Sequence, residues 1–326
     1  MTTIHHEADG DLGAIAGEQV AVIGYGNQGR SWALNLRDSG ITPVVCVRRD
    51  ASRDEAERDG FEAQDLAAAN EADILCVLVP DDVIPSLGLA PRADACTIVA
   101  SGYTLAFDRL HVPGDVGMVA PRMLGPEVRR CYEEGAGFIT AVGVHHDETG
   151  RAWSRVLAVA KAIGGLREGA IELTAMQEAV LDLAVEQVLS PALTAVNNAF
   201  VATMLAHGIP LEAILTELVL SGEVERTYRL LRERGYAAQS ELHSPTSQYG
   251  QLSRRGRYDH LDLRTTMEEL TAEIESGRFA DEWDAERDAG YPTLTALKEQ
   301  HAGPAIRAFE EELRRRLGPG ARGALH

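Results

Sequence analysis

The stretch Gln19-Val20-Ala21-Val22-Ile23-Gly24-Tyr25-Gly26-Asn27-Gln28-Gly29-Arg30-Ser31-Trp32-Ala33-Leu34-Asn35-Leu36-Arg37-Asp38-Ser39-Gly40 decides the fold class. It opens as an apolar run of strand length. It turns through Gly24-x-Gly26-x-x-Gly29, then continues with helical periodicity at Trp32, Ala33 and Leu36 to a stop at Gly40. In such a strand–turn–helix unit Gly24 permits the turn, Gly26 lets the backbone approach a pyrophosphate, and Gly29 lets helix and strand pack closely. The helix N-terminus then offers unpaired N–H groups and a positive dipole end to the phosphates. Three glycines alone are weak evidence. The strand before them and the helix after favour a dinucleotide site over a plain turn, with Tyr25, Asn27 and Gln28 completing it.

The chain has 326 residues, 45% hydrophobic and 25% charged, which leaves room for two domains with a sizeable core. Its formal net charge of −19 argues against nucleic acid or an anionic membrane as partner. Cys46, Cys76, Cys96 and Cys131 are scattered, without a CxxC pair. Three of them lie in apolar runs, which reads as buried reduced thiols and a cytoplasmic setting. No basic-then-apolar leader opens the chain, and no apolar run is read as long enough to span a membrane.

After the first unit, strand and helix patterns alternate. Thr42–Val47 reads as a second strand, with Arg48, Arg49 and Ser52 at its C-terminal end. That loop meets the adenosine ribose in a doubly wound sheet. Two arginines and a serine suit a 2′-phosphate and hence NADPH, while Asp50 leaves room for NADH; the ordinary alternative is a solvated charge cluster. A helix is expected over residues 52–70. The next strand ends at Pro80, followed by Asp81 and Asp82 on the nicotinamide side of the crevice. Further strands end near Ser101 and Arg122, another covers Phe138–Val144, and Trp153–Ile163 reads as a helix. The alternation predicts a parallel sheet covered by helices.

From about residue 172 the pattern is helical only. Thr174 and Gln177 have capping-box spacing, and the helix they open carries Asp182 and Glu186 at i and i+4. Ser190-Pro191 punctuates it. A second helix runs to Gly208, and a third from Leu211 to Gly235 carries Glu223. A loop holds Ser244 and Thr246, Thr265–Glu268 is a second capping box, and a charged helix covers Ala305–Leu317. The expected division is 1–176 for a Rossmann NAD(P)-binding domain and 177–326 for an all-helical domain.

Lined up, these pieces resemble ketol-acid reductoisomerase of the short, bacterial kind. The resemblance rests on Gly24–Gly29, Ala33–Gly40, Val119-Ala120-Pro121, Tyr132–Gly135, Ile163-Gly164-Gly165, Asp182-Leu183, Glu186-Gln187, Glu223 and Ser244-x-Thr246-x-x-Tyr249-Gly250. It implies an α/β fold with an N-terminal Rossmann domain and a knotted helical C-terminal domain. It also implies an obligate homodimer, NADPH, and Mg²⁺ on carboxylates at Asp182, Glu186 and Glu223, the last from the partner copy. Ser244 and Thr246 fall on its substrate-binding segment, and Gly125 joins the cofactor-binding positions.

The chain departs from the family pattern at three points. Ser101 stands where the family has histidine, Arg122 where it has lysine, and Val219 at the position counted for a fourth carboxylate, with Glu217 nearby but off that face. With Asp182, Glu186, Glu223, Ser101 and Arg122 as the catalytic set, the reading is an NAD(P)H-dependent reductase on this scaffold. It would reduce a C=O or C=N of a small polar substrate without alkyl migration, in specialised metabolism. Two alternatives stand beside it: a genuine ketol-acid reductoisomerase of branched-chain amino-acid synthesis, and a non-catalytic dinucleotide-binding protein.

Overall fold

Short apolar runs, each closed by a turn, build one nine-stranded sheet in the computed structural model, which describes residues 1–302 and 304–317. In chain order β1 is Ile4–His5, β2 Val20–Ile23, β3 Val44–Cys46, β4 Ala63–Gln64, β5 Ile74–Val77, β6 Cys96–Val99, β7 Asp115–Pro121, β8 Thr140–His146 and β9 Ala170–Glu172. Their spatial order is β1-β9-β8-β7-β6-β5-β2-β3-β4. The order turns around between β2 and β5, so a crevice opens at the C-terminal ends of those two parallel strands. Every residue of β2, β5 and β6 is buried, as strands covered on both faces require.

The sheet is mixed, not wholly parallel as expected. β8 runs antiparallel to β7, with Pro121 opposite Thr140 and Val119 opposite Val142. The cause is the connection between them. Residues 122–139 carry a helix that packs against the first helix after the glycine turn and return the chain to the end of β7, where Thr140 pairs with Pro121, so β8 runs back.

The helices of this part are α1 Asn27–Asp38, α2 Ala51–Arg58, α3 Tyr103–Ala106, α4 Gly125–Glu133 and α5 Ala152–Ala162. α1 buries Trp32, Ala33 and Leu36. Its buried Asn35 donates to the Ile163 carbonyl at 3.0 Å and accepts from Arg129 at 2.9 Å. The helix expected over 52–70 ends instead at Arg58, and a short strand and a 3₁₀ turn follow. Beneath the sheet Arg155 pairs with Asp115 at 3.1 Å and Glu18 at 2.9 Å. Burial works to raise the Asp115 carboxyl, but bonds from Thr149 and Arg155 outweigh it and hold the group below its ordinary value.

Contacts divide the chain into Met1–Leu183 and Ala184–His326. α6, Ala175–Ala184, opens with the anticipated capping box. The Gln177 N–H donates to the Thr174 hydroxyl at 3.1 Å, and the Thr174 N–H donates to the Gln177 side chain at 3.0 Å. Helix then continues through a π turn, Val185–Leu189, into α7, Ser190–Ala206. Ser190-Pro191 therefore does not end the helix. Pro191 has no N–H to give, and the wider π turn just before it takes up the mismatch. The run Ala175–Ala206 is long and apolar enough to cross a membrane by length and composition, which corrects the reading that no segment is. Buried helices of ordinary globular proteins meet the same criterion.

The second part is helical throughout its described residues. α8 is Leu211–Leu215, a π turn covers Thr216–Leu220, and Gly222 is left-handed at φ 72° before α9, Glu223–Ser240, which is itself broken at the expected stop, Gly235, at φ 76°. The single helix expected over 211–235 is thus broken at Gly222. The segment expected as a loop is α10, Pro245–Arg254, with Ser244 as its N-cap. α11, Leu263–Glu275, is capped by Asp262 and not by Thr265. α12 Arg278–Asp288, α13 Pro292–Ala302 and α14 Pro304–Arg316 follow among the described residues.

The ion cluster beneath the sheet gives the first prediction. Arg155→Met leaves Asp115, fully buried, without its cation, which should cost about 3–5 kcal/mol. Because the folded Asp115 pKa lies below its unfolded value, its contribution is present above the unfolded pKa and fades as pH falls through the folded one. Denaturant titrations at neutral and acidic pH should show the gap between variant and parent narrowing in acid.

Candidate active site

The glycine turn sits where β2 meets α1. Gly24 has φ 93°, and a Cβ there would lie 2.7 Å from the Leu78 carbonyl oxygen. A Cβ on Gly29 would lie 2.2 Å from the Gly24 carbonyl oxygen, so the first turn of α1 rests directly on the loop. A Cβ on Gly26 meets nothing within 4 Å; this is the open side of the turn. Two hollows share it. One, of about 250 Å³, is lined by Gly24, Tyr25, Gly26, Arg48, Asp50 and Ser52. The other, of about 320 Å³, is lined by Gly26, Asn27, Gln28, Pro80, Asp81 and Ser101, among others. Together they follow the C-terminal ends of β2, β3, β5 and β6, the course of a bound dinucleotide. A roomier hollow of about 540 Å³ lies along α11, but it is the face of a single helix and lacks a glycine turn or converging backbone N–H groups.

The ribose end differs in detail from expectation. Arg48 lines the hollow, and its guanidinium lies 3.6 Å from Asp50. Asp50 caps α2 by accepting from the Ser52 N–H at 3.0 Å. Arg49 is drawn away to Asp65 at 2.8 Å, which also binds Arg53 at 2.7 Å. Arg49 does not line this hollow. Asp65, distant in sequence, carried no signal that would have shown this.

Several expected cofactor residues also brace the turn through their own bonds. The buried Tyr25 donates its hydroxyl to Asp59 at 2.8 Å. Burial and the Asp59 carboxylate hold that hydroxyl well above its ordinary pKa. Gln28 donates to the Met123 carbonyl at 3.1 Å and so ties the turn to the loop after β7. Gly125 lines neither hollow. Its carbonyl accepts from Ser31 at 2.7 Å, and a Cβ there would lie 2.4 Å from the Asn27 backbone. It braces the turn from behind.

A second group of polar side chains gathers at the ends of β5, β6 and β7. Ser101 donates to Asp81 at 2.9 Å. Arg122 bridges Glu178 at 2.9 Å and Asp182 at 3.0 Å. The other Glu178 oxygen accepts the Gly102 N–H. With its side chain 2% exposed, Glu178 fastens three elements to one another. Burial raises its pKa, against the lowering effects of the Gly102 N–H and Arg122. Sequence reading missed Glu178, although its place one helical turn before Asp182 was the available signal. Burial, with the negative charges of Asp182 and Asp82, pushes Asp81 up to about 6 in spite of the Ser101 bond.

The remaining candidates lie in the second part of the chain. Glu186 is in the π turn after α6, and Glu223 is the first residue of α9. Ser244 is committed to capping α10 by accepting from the Ser247 N–H at 3.3 Å, and Thr246 is exposed. Val219, the position counted back from Gly235 for a fourth carboxylate, lies in the π turn Thr216–Leu220, with left-handed Gly222 between it and Glu223. Carboxylate oxygens are the donors Mg²⁺ takes, and Asp182 and Glu186 stand four residues apart on one helical run. Among the described residues of one copy, however, no group of three or more His, Cys, Asp or Glu converges on a metal position.

The two halves of the chain match two consecutive family models. Residues 14–169 match the acetohydroxy acid isomeroreductase NADPH-binding domain, and residues 176–318 match the ketol-acid reductoisomerase C-terminal domain. The chain is 36% identical to the ketol-acid reductoisomerase (NADP(+)) of Caldivirga maquilingensis, over 98% of this chain and all of that one. It is 36% identical to that of Methanocaldococcus jannaschii, over 98% and 99% of the two chains. A solved NADH-preferring ketol-acid reductoisomerase from an uncultured archaeon superposes with a TM-score of 0.88 at 30% identity, covering 97% and 99%. A glycine turn opening onto a nucleotide-length cleft, a helical second half and full-length similarity converge, and the chain belongs to the ketol-acid reductoisomerase family of NADP(H)-dependent oxidoreductases.

Proposed function

We propose that the chain is a genuine ketol-acid reductoisomerase. It shifts an alkyl group in a 2-hydroxy-2-alkyl-3-keto acid and reduces the resulting 2-keto acid. The similarity along both domains to relatives named for this activity carries the reading. It is preferred to the expectation of reduction without migration, which rested on Ser101, Arg122 and Val219, because relatives similar along the whole chain carry the reductoisomerase name.

NADPH, when bound, supplies the hydride. The open side of Gly26 and the first N–H groups of α1 receive its pyrophosphate. Arg48 is the residue for a 2′-phosphate, and Asp50 beside it suits the free 2′-hydroxyl of NADH. Glu178 holds the Gly102 backbone and Arg122 at the reacting end. Arg122 stays charged and cannot act as the proton shuttle that a desolvated lysine can be; it serves as a fixed positive charge. Asp182 and Glu186 would hold Mg²⁺, with Glu223 from a second copy, and the metal would supply Lewis-acid polarisation of the substrate oxygens. The composite site makes the active form a homodimer, and the exposed apolar run Ala175–Ala206 supplies a face for pairing. An active monomer in sedimentation would overturn this.

One observation favours the second reading, reduction alone. Arg122 occupies an Asp182 oxygen that a metal would need. Acetolactate with NADPH, with and without Mg²⁺, separates the two. The expected product is the rearranged dihydroxy acid, formed only with Mg²⁺. Reduction of the unrearranged ketone would favour the second reading, and no NADPH consumption with acetolactate or with a 2-keto acid would overturn both.

The cofactor end is tested separately. Gly26→Val should weaken NADPH and NADH equally, because it blocks the pyrophosphate. Arg48→Ala should weaken NADPH roughly tenfold more than NADH, the worth of one charge-assisted bond. Arg49→Ala, tied to Asp65, should change the ratio little. Fluorescence titration of the three variants reads the result.

A further inference from the structure

The Ser101–Asp81 pair lies at the reacting end of the cleft. The two residues end neighbouring strands, β5 and β6, and both line the hollow that begins at Gly26. The Ser101 hydroxyl is fixed by its 2.9 Å bond to Asp81. The loop carrying it is held in turn by the bond from the Gly102 N–H to Glu178. A hydroxyl so placed, with a carboxyl behind it, is a two-member proton path opening on the cavity.

We propose that Asp81 is the proton store of the reduction step and that Ser101 is the group that hands its proton to the substrate oxygen. As the carbonyl carbon of the 2-keto acid is reduced and the cofactor oxidised, the carbonyl oxygen gains an electron pair. It takes the Ser101 hydroxyl proton, and an O–H bond forms there as the Ser101 O–H bond breaks. The Ser101 oxygen takes the Asp81 carboxyl proton in the same way. Asp81 is left as a carboxylate and is reprotonated from water. In the proton-loaded state Asp81 donates to Ser101, which leaves the serine hydrogen free to point into the cleft.

The surroundings suit this role. Burial of Asp81 and the negative charges of Asp82 on the same loop and of Glu178 favour a proton on it. The facing cation, Arg122, is already shared between Glu178 and Asp182. An aspartate pushed up to about 6 holds a proton under conditions where an ordinary one, near 3.9, is stripped. Arg122 cannot donate instead. Ser101 is thus the catalytic residue, and Asp81, which acts through it, is a positioning and proton-holding residue.

The inference rests on the reductase part of the proposed function, and the test keeps the two apart by using a 2-keto acid that needs no rearrangement. Ser101→Ala should lower kcat roughly a hundredfold, in the range of general acid catalysis, with KM and the NADPH dissociation constant unchanged. Ser101→Thr, which keeps the hydroxyl, should restore most of the rate. Asp81→Asn keeps an acceptor for Ser101 but has no acidic proton, and should lose kcat similarly; it also serves if the alanine variant fails to fold. An active parent whose Ser101→Ala and Asp81→Asn forms turn over at the parental kcat would overturn the relay alone. A parent that reduces neither acetolactate nor the 2-keto acid would overturn the proposed function and the relay with it.

Discussion

The contact between the first turn of α1 and the glycine loop is the constraint on which the site depends. A single methyl group on Gly29 would press into the Gly24 carbonyl at 2.2 Å. Because nothing is there, the helix starts on top of the loop and its N–H groups face the crevice. Gln28 and Ser31, on the same first turns, then reach Met123 and Gly125 after β7. The phosphate end and the reacting end are thereby set relative to each other within one rigid layer of the first domain.

At the reacting end, charge takes over from packing. Two carboxyl groups, Glu178 and Asp182, share one guanidinium, Arg122, while a third, Asp81, lies within their field. Like charges this close cannot all remain ionised without cost. Glu178 takes the strongest partners, a backbone N–H and the arginine. Asp182 shares the same guanidinium nitrogen. Asp81 accepts from the neutral Ser101 hydroxyl, and burial pushes its pKa up. The chemistry assigned to the Ser101–Asp81 pair follows from this unequal sharing. In the same way, the hold of Arg122 on Asp182 sets the condition under which a metal gains access to that carboxylate.

How far the chain could be read in advance differs by kind of feature. The glycine turn, the apolar strands and the α6 capping box were legible because each is a local pattern whose partners lie within a few residues. The antiparallel direction of β8 was not, since it depends on where α4 packs. Arg48 and Arg49 look equivalent in sequence, and only the approach of Asp65 separates them. The third carboxylate of the reacting end, Glu178, was passed over because a lone glutamate on a helix is ordinary until it is seen buried against Gly102.

The sequence by itself determined the fold class, the cofactor turn and the family, because these reside in short-range periodicity and in glycines that leave no alternative residue. Tertiary structure alone decided the breaks at the π turns and Gly222, the commitment of Ser244 to a helix cap, and the sharing of charge among Asp81, Glu178, Asp182 and Arg122. Each of these depends on which distant groups come within hydrogen-bonding reach. Helical counting carries no such information once a wider turn or a left-handed glycine has shifted the register.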